Sequence, residues 1–312
     1  MRLFLGVDGG QSGTLAMIGD QTGRVVGAGE GGPCNHAAAG EGRRKLERAV
    51  TESVGAACAQ AGLDAKLVSF EAACFGMSGG PDDKCEILAG ILRTARLIVT
   101  NDAVIALAGA TATGQGIITI AGTGSIAFGR NAAGQSARAG GWGYIFGDEG
   151  GGFDIARQAL RAALRMEEGW GPPTSLREIL LAETGAIDVN QLLHGFYTDE
   201  WPRARVAKLA RLVDAAAMES DAVAAQILRG AAQQLAILTA AVRGQLWSAG
   251  VVLDVAYVGG VFESALLLEH FRTLIELEEG VHCGPPLHGP AEGALLEAYR
   301  AAGLQVRLRT RE

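Results

Sequence analysis

Two similar turns of glycine and small hydroxyl residues, each lying between short apolar strands, are the part of this sequence best suited to chemistry. The first turn follows Asp8 and the second follows Ala121. Glycine lets a backbone approach an anion closely, and consecutive N–H groups in such a turn can point at it. Two copies, one near the start of each half, predict two similar domains that hold one polyphosphate. The residues assigned to phosphate binding are Gly9, Gly10, Gln11, Ser12 and Thr14 in the first turn and Thr123, Gly124 and Ser125 in the second.

Asp8 ends the first apolar strand and directly precedes two glycines. A buried carboxylate is costly unless it is paired, and the neighbouring residues offer little to pair with it. We therefore expect Asp8 to hold Mg²⁺, through water, beside the phosphates. An ordinary hairpin in which Asp8 caps the turn is the alternative, and the second copy of the turn favours the metal site.

Asp102 follows the apolar strand Leu97–Thr100 and precedes a helix that begins near Ala103. Open α/β sheets place their ligands at the carboxyl ends of strands, so Asp102 is a candidate general base. The pair Asn101 and Asp102 also suits a helix cap. A cap and a base are not exclusive, and both roles remain open at this position.

The long loop from Gly140 to Gly152 combines glycines with one tryptophan and two adjacent carboxylates. Such carboxylates can accept hydrogen bonds from sugar hydroxyls, whereas a solvated turn with acids at a helix N-terminus is the alternative. Loops of this length in compact domains are usually functional or disordered. The candidate residues for such hydrogen bonds in this loop are Asp148 and Glu149.

Two further segments suit the recognition of neutral polar groups. Asn35 beside His36 offers an amide and an imidazole after the third strand, although a simple loop turn explains the pair as well. Gly259 and Gly260, with Ser264 at the start of the next helix, suit a ribose or nucleobase lying against bare backbone. A tight strand-to-helix turn is the alternative for the two glycines.

The segment 76–80 matches the nucleophile elbow of serine hydrolases, with Ser78 as the nucleophile. A catalytic triad would also need an acid and a histidine, for which Asp254 with His282 or His288 are the candidates. A serine hydrolase activity would give neither glycine turn a role. A turn near a bound ligand accounts for Ser78 equally well, which makes it a candidate substrate-binding residue.

Composition narrows the possible partners. The 312 residues carry a net charge of −7 and no basic cluster outside the C-terminal tail, which disfavours nucleic acid. The five cysteines are odd in number and form no C-x-x-C pair, which argues against a disulfide framework, a zinc ribbon and a redox dithiol. No apolar run reaches the ~18 residues of a membrane helix. These features predict a cytoplasmic protein without nucleic-acid or membrane partners.

The order of apolar patterns restarts near residues 111–114, which predicts two domains. The first half is predicted to contain strands at 2–8, 14–19, 24–29, 68–75 and 97–100 and helices at 41–62, 81–92 and 103–108. The second half is predicted to contain strands at 116–121, 125–130, 135–139 and 251–258. Helices are predicted at 153–166, 174–184, 188–196, 202–218, 220–248 and 291–301, and a further helix is predicted to begin near Ser264.

The glycine turns, Asn101-Asp102 and Gly259-Gly260 together resemble the actin, hexokinase and Hsp70 ATPase superfamily. Within it, the chain resembles the N-acetylglucosamine kinases of the BadF/BadG/BcrA/BcrD ATPase family, a group that also includes activators of benzoyl-CoA reductase and 2-hydroxyacyl-CoA dehydratase. This resemblance extends from Gly6 to Gly293. The segments that carry it are Asn35-His36, 77–80, 121–125, 140–143 and 147–150.

The resemblance implies an α/β fold of two RNase H-like (actin-like ATPase) domains with a ligand cleft between them. Residues 1–112 would form the sugar and phosphate side. Residues 113–312 would form the ATP side, with a helical insertion at about 166–250. The last helix, 291–301, is expected to pack back on the first domain, and a homodimer is implied as well.

The resemblance also implies a kinase that uses ATP and Mg²⁺ to phosphorylate the 6-hydroxyl of an amino sugar, most simply N-acetylglucosamine. Asp102 would take the proton from that hydroxyl. Asp8 stands where the eukaryotic kinases carry glutamate, and 166–250 contains no motif that assigns adenine contacts. By the family pattern, Asn35, Gly141, Trp142, Gly143 and Asp148 would bind the sugar, and Gly259, Gly260 and Ser264 would border the adenosine. His36, Ser78 and Glu149 are further candidate sugar ligands because they adjoin these segments.

Two other functions and the choice of sugar stay open. The activator ATPases hold an iron–sulfur cluster between two subunits with cysteines, and the second half of this chain has no cysteine pair to do so. A sugar-sensing regulator would need a DNA-binding element, and the sequence shows neither a helix-turn-helix nor a basic face. N-acetylglucosamine, glucosamine and N-acetylmuramic acid all remain candidate substrates.

Overall fold

The chain forms two compact units in the computed structural model, which describes residues 1–10, 13–34, 40–77 and 84–309. Unit 1 consists of Met1–Gly116 and the chain from Pro286 onward, and unit 2 is Ile117–Pro285. Each unit is built around a five-stranded sheet. No helix in the described ranges is long and apolar enough to cross a membrane.

The strands are β1 (Leu3–Gly9), β2 (Thr14–Asp20), β3 (Val25–Gly31), β4 (Ala72–Met77), β5 (Leu97–Thr100), β6 (Gly116–Ala121), β7 (Ser125–Arg130), β8 (Ser136–Gly140), β9 (Leu253–Val258) and β10 (Val281–Gly284). The helices are α1 (Gly40–Gln60), α2 (Cys85–Ile91), α3 (Asp102–Thr111), α4 (Gly152–Glu167), α5 (Leu176–Thr184), α6 (Val189–Gly195), α7 (Arg203–Ala207), α8 (Ala210–Met218), α9 (Ala222–Leu246), α10 (Ala265–Glu276) and α11 (Pro290–Ala301). A short 3₁₀ helix, Gly260–Glu263, follows β9.

The sheet of unit 1 has the order β3-β2-β1-β4-β5. The first three strands are antiparallel neighbours, and β4 and β5 run parallel to β1. β1 is an almost uninterrupted apolar run that is buried on both faces, as its central position requires. Leu5 and Val7 pack in a cluster with α1, while Phe4 packs with Leu295 and Tyr299 of α11.

Glycines allow α11 to lie directly against β1 and α3. A side-chain carbon on Gly6 would overlap the backbone of Leu295, and one on Gly293 would overlap the backbone of α3 at Ile105. Tyr299 adds a hydrogen bond from its hydroxyl to the Asp20 carbonyl oxygen at 2.6 Å. This close packing explains why the last helix belongs to unit 1 although it is distant in sequence.

Unit 2 repeats the topology of unit 1 in the order β8-β7-β6-β9-β10. Strands β7 and β8 are antiparallel, and β9 and β10 run parallel to β6. Both units therefore consist of three consecutive strands extended by two later parallel strands. This is the doubled RNase H-like arrangement that the family resemblance implies.

Three elements differ from the sequence prediction, of which the first is the strand predicted at 68–75, observed as β4 at Ala72–Met77. The helix predicted at 202–218 is divided into α7 and α8, with Lys208 and Leu209 between them. The strand β10 is absent from the prediction because four residues at the edge of a sheet are too short to show a clear pattern.

Candidate functional site

Three parallel strands of unit 1 end level with one another. In the register of the sheet, Asp8 of β1 lies opposite Gly76 of β4, which lies opposite Thr100 of β5. Neighbouring strands are about 4.8 Å apart, so the chain after Thr100 emerges near the end of β1. The structure thus brings Asp8 and Asp102 to one edge of the sheet, where the charge of Asp102 acts on Asp8.

Asp102 is the first residue of α3 and is exposed. The capping of this helix falls to Asn101, whose side-chain oxygen accepts a hydrogen bond from the Val104 N–H at 3.0 Å. One carboxylate oxygen of Asp102 accepts from the Ala103 N–H at 2.9 Å. Asn101 and the helix start therefore fix the position of the Asp102 carboxylate while it remains open to solvent.

Asp8 is half-buried at the end of β1. Burial, and to a lesser extent the charge of Asp102, raises the pKa of Asp8 to about 6. The described residues contain no group of three or more His, Cys, Asp or Glu side chains that could hold a metal ion. Mg²⁺ is ordinarily bound by one or two carboxylates together with water and substrate phosphates, so the donors at this edge fit it.

The first glycine turn is closed by a hydrogen bond from the Gly10 N–H to the Gly13 carbonyl at 2.9 Å. Thr14 is buried, and its hydroxyl donates to the Gly32 carbonyl at 2.8 Å and lies 2.8 Å from the Cys34 sulfur. The Thr14 hydroxyl therefore holds the turn against the end of β3. Burial raises the pKa of the Cys34 thiol, which leaves it a neutral packing partner in this turn.

Gly9 lies where β1 meets the end of β4, and a side-chain carbon there would overlap the sulfur of Met77. Five predicted ligands lie outside the described residues, namely Gln11, Ser12, Asn35, His36 and Ser78. The acid and histidine considered for a hydrolase, Asp254 and His282, are opposite each other in the β9–β10 pair of unit 2, and both are exposed.

The second glycine turn is anchored on the start of α4. The Gly122 N–H donates to the Gly124 carbonyl at 3.0 Å and closes the turn. The Gly152 N–H donates to the Gly122 carbonyl at 2.8 Å, and the Phe153 N–H donates to the Thr123 carbonyl at 3.0 Å. The carbonyls of the turn are thus satisfied internally, and the turn is fixed between β6 and α4.

A cavity of about 400 Å³ opens beside this turn within unit 2, and we call it the hairpin cavity. Thr123 lines it together with Gly260 and Ser264, so two segments that the sequence predicts separately meet there. Gly259 has a φ of 116°, and a side-chain carbon on it would overlap the carbonyl of Ala121. Only glycine lets the end of β9 approach the second turn in this way.

Helices α7 and α8 supply a part of the cavity wall that the sequence analysis leaves unassigned. Their contribution includes Ala204 and Ala207 of α7 and Arg211 and Asp214 of α8, and Lys208 is added by the link between the two helices. Asp214 accepts a hydrogen bond from the Ser264 hydroxyl at 2.5 Å, which ties α8 to the start of α10. Alanines and scattered charges on two short helices form no recognisable motif, and these positions follow only from the three-dimensional packing.

The glycine-rich loop begins with left-handed backbone at Gly140, Gly141 and Gly143. Trp142 lies within this stretch and is 65% exposed, so its ring is open to a ligand. The guanidinium carbon of Arg138 lies 4.4 Å from the centre of that ring. An exposed indole with a cation beside it can bind a sugar through its face and polar substituents.

The two carboxylates of the loop have different surroundings. The side chain of Asp148 is only 6% exposed, and its carboxylate accepts hydrogen bonds from Arg203 and, at 3.3 Å, from the Ser125 N–H. Glu149 is half-buried, and its backbone carbonyl accepts from the Ser125 hydroxyl at 2.6 Å. Both residues therefore contact the second glycine turn. Arg203 is a further residue that no sequence motif marks.

Comparison with known proteins agrees with this architecture. The profile of the BadF/BadG/BcrA/BcrD ATPase family matches residues 5–298. An N-acetylmuramic acid/N-acetylglucosamine kinase of Clostridium acetobutylicum is 34% identical over 286 residues, covering 89% of this chain and 91% of that protein. An N-acetyl-D-glucosamine kinase of Dictyostelium discoideum is 32% identical over 254 residues, covering 75% of this chain and 76% of that protein.

A solved structure supports the fold. A Chromobacterium violaceum protein, provisionally named an N-acetylglucosamine kinase, matches with a TM-score of 0.76 and 28% identity, covering 95% of this chain and 98% of that one. The match includes both units and agrees with the predicted actin-like ATPase fold. Since the family profile spans nearly the whole chain, this protein belongs to the BadF/BadG/BcrA/BcrD ATPase family.

Proposed function

We propose that the protein is an ATP-dependent amino-sugar kinase that phosphorylates the 6-hydroxyl of N-acetylglucosamine. The observation that carries the proposal is the pair of carboxylates, Asp8 and Asp102, at the carboxyl edge of the unit 1 sheet. The relatives that are 34% and 32% identical bear the names of kinases of N-acetylglucosamine, which supports the same substrate class.

Asp102 acts as the general base in this proposal. Its exposed carboxylate accepts the proton of the sugar hydroxyl as that oxygen forms its bond to the γ-phosphorus and the bond to ADP breaks. The N-cap at Asn101 and the bond from the Ala103 N–H keep the carboxylate in one place. Phosphoryl transfer depends chiefly on such positioning, because little covalent chemistry is required of the protein.

Asp8 is assigned to Mg²⁺, with water completing the ligand set. Its half-buried position beside Asp102 makes its charged form costly, and a bound cation would relieve that cost. When bound, Mg²⁺ would offset negative charge on the β- and γ-phosphates. Gly9 and Gly10 add closely approaching backbone at the same sheet edge, where a side chain on Gly9 would meet Met77.

The hairpin cavity of unit 2 is assigned to the nucleotide. Its volume of about 400 Å³ lies in the range of pockets that bind small molecules and cofactors. Thr123 and its turn would meet the phosphates, and Lys208 would add positive charge at the cavity. Bare backbone at Gly260 leaves room for the adenosine. The sugar is assigned to the loop that contains Trp142.

An amino sugar that carries a carboxylate, such as N-acetylmuramic acid, is the second candidate substrate. The observation that favours it is Arg138, which is exposed beside the Trp142 ring and forms no ion pair within the described part of the chain. A free guanidinium at this place could bind the carboxylate of the sugar substituent. The Clostridium acetobutylicum relative bears the name of a kinase of both sugars.

The activator function has no comparable support. Cys34, Cys58 and Cys74 are buried in unit 1, and Cys283 is buried in unit 2. Cys85 is the exposed cysteine among those described. A cluster shared between two subunits needs exposed thiolates on each, and the described cysteines do not provide a set of them.

A coupled assay of ADP release tests the proposed activity directly. Mg-ATP is offered with N-acetylglucosamine, 6-deoxy-N-acetylglucosamine, glucosamine or N-acetylmuramic acid, and phosphorus NMR identifies the product. We expect ADP release with N-acetylglucosamine, a 6-phosphate product and no turnover of the 6-deoxy sugar. ADP release that does not depend on sugar would contradict the proposal. Turnover of N-acetylmuramic acid that falls in Arg138→Gln would support the second substrate.

A further inference from the structure

Two side chains near the start of α4, Asp154 and Arg157, contact the glycine-rich loop that precedes this helix. Asp154 is buried, and its carboxylate accepts a hydrogen bond from the Gly150 N–H at 3.2 Å. The Arg157 guanidinium donates to the same carboxylate at 2.6 Å and to the Tyr144 carbonyl at 3.4 Å. The Tyr144 ring also packs edge-on against Phe153, with the ring centres 5.1 Å apart. Two points of the loop are therefore joined to one helix.

The loop residues assigned to the sugar lie between these two points or shortly before them. Asp148 and Glu149 directly precede Gly150, and Trp142 precedes Tyr144 by two residues. The backbone is left-handed at Asp148 and Gly150, with φ values of 65° and 76°. A residue other than glycine keeps this conformation only where its surroundings hold it. The placement of the sugar-binding side chains thus depends on contacts that fix the loop from outside.

Capping of α4 explains only part of this arrangement. Asp154 is the third residue of the helix, where an acidic side chain stabilises the helix start. Arg157 lies almost one turn further on and satisfies none of the first N–H groups of the helix. Its Nε is buried without a hydrogen-bond partner among the described residues, which costs free energy. This cost is explained if Arg157 is needed for its contact with the loop.

We propose that Arg157 is a positioning residue that, together with Asp154, holds the glycine-rich loop in its sugar-binding position. This inference rests on the proposed function, in which the loop that contains Trp142 binds the sugar. Arginine suits the role because its planar group presents several donors in fixed directions and can bond a carboxylate and a carbonyl at once. The pair acts on the sugar through the loop.

The test compares Arg157→Met, Asp154→Asn and the double variant with the wild type. Methionine is unbranched like arginine and fills space flexibly, but it donates no hydrogen bond. Calorimetry measures the Kd of N-acetylglucosamine without nucleotide and the Kd of AMP-PNP without sugar, and steady-state kinetics measure the sugar KM. We expect each single change to raise the sugar Kd and KM by about 10-fold or more, with the Kd of AMP-PNP nearly unchanged. Since the two residues act as one unit, the double variant should be little worse than either single variant.

Amide hydrogen exchange follows the loop itself in the absence of any ligand. The Gly147 N–H donates to the Gly143 carbonyl at 2.8 Å within the loop, so its exchange rate reports whether the loop keeps its conformation. We expect faster exchange at Gly147 in Arg157→Met and in Asp154→Asn than in the wild type.

The matched control is Arg161→Met, because Arg161 is exposed and lies about one turn further along α4. It should equal the wild type in sugar Kd and in exchange at Gly147. Arg157→Lys keeps the charge but loses the planar group, so its sugar Kd should lie between those of the wild type and Arg157→Met. If Asp154→Asn fails to fold, the two Arg157 variants carry the test.

Two results would overturn the inference. The first is a wild-type sugar Kd in Arg157→Met. The second is an equal loss of sugar and AMP-PNP affinity in that variant, which would give the pair a general structural role in unit 2. A wild-type protein that binds AMP-PNP but no sugar would contradict the proposed kinase instead, and exchange at Gly147 would still decide whether the pair holds the loop.

Discussion

The carboxylate of Asp8 lies where a negative charge opposes folding. Burial and the neighbouring Asp102 both disfavour its charged form and raise its pKa to about 6. Groups with shifted pKa values often mark functional sites, because function requires them in places that stability alone would not choose. The position of Asp8 is explained if a cation and phosphates complete the site when substrate binds.

Replacing Asp8 with Asn should change how stability depends on pH. The folded state binds the Asp8 proton more tightly than the unfolded chain does, because the pKa of Asp8 is higher in the folded state. The protonated carboxyl group therefore adds to the free energy of unfolding below pH ~4, and this stabilisation is lost as pH rises through ~6. We expect Asp8→Asn to exceed the wild type in free energy of unfolding by about 1–3 kcal/mol near pH 7.5, and by much less near pH 4.

Urea unfolding in EDTA across this pH range measures the difference. Glu52→Gln, which removes an exposed acid from α1, serves as the matched control and should follow the wild type at every pH. An advantage of Asp8→Asn that stays constant between acid and neutral pH would show that the charge of Asp8 is not its cause.

Local sequence predicts where some candidate site residues lie but not the direction of their side chains. The position of Asp102 after β5 could be predicted because it follows a recognisable strand. The hydroxyl of Thr14 bonds inward to Gly32, and the carboxylate of Asp148 bonds inward to Arg203. Both orientations depend on partners that are 18 and 55 residues away, and no local pattern contains that information.

At the scale of elements, glycines decide how closely helices and strands approach. Gly6 lies under the backbone of α11, whereas Gly244 of α9 has no atom within 4 Å of the place where a side chain would begin. The first glycine is needed for packing, and the second only weakens its helix.

The two glycines predict opposite effects of the same substitution. Gly6→Ala should lower the free energy of unfolding by about 2 kcal/mol or more, because its side chain would collide with backbone at Leu295 that cannot move aside easily. Gly244→Ala should raise it by up to about 1 kcal/mol through helix propensity. Chemical denaturation of both variants measures the difference. A neutral Gly6→Ala would contradict the close packing of α11 on β1.

The elements themselves were predictable to different degrees. The three strands that begin each unit could be read from apolar runs and glycine turns, and α9 from its length and periodicity. The break between α7 and α8 and the edge strand β10 could not, because short segments give weak patterns and are fixed by their neighbours. The cavity wall that α7 and α8 provide was missed for the same reason.

At the scale of the whole molecule, the chain carries one topology twice, and its last segment returns to the first unit. The sheet orders β3-β2-β1-β4-β5 and β8-β7-β6-β9-β10 correspond strand by strand. Paired glycine turns in the sequence indicate this repetition. The return of α11 depends on contacts between residues nearly 300 positions apart, such as Tyr299 with Asp20.

Removing the chain from Pro286 onward should therefore unfold unit 1 selectively. The deletion would strip α11 from one face of its sheet and expose Phe4 and Ile105. Hydrogen exchange should show fast exchange of the β1 and β4 amides, while the amides of α9 in unit 2 stay protected. Tyr299→Phe, which removes only one hydrogen bond of this helix, should retain protection in β1. Protected β1 amides in the truncated chain would contradict this account.

The most direct test of the proposed function compares Asp102→Asn with the wild type in sugar-dependent ADP release and in AMP-PNP binding. The amide keeps the shape of the side chain but cannot accept the proton of the sugar hydroxyl. We predict a loss of kcat of about 100-fold or more with little change in the Kd of AMP-PNP, and wild-type values for Glu52→Gln. A wild-type kcat in Asp102→Asn would contradict the assignment of Asp102 as the base.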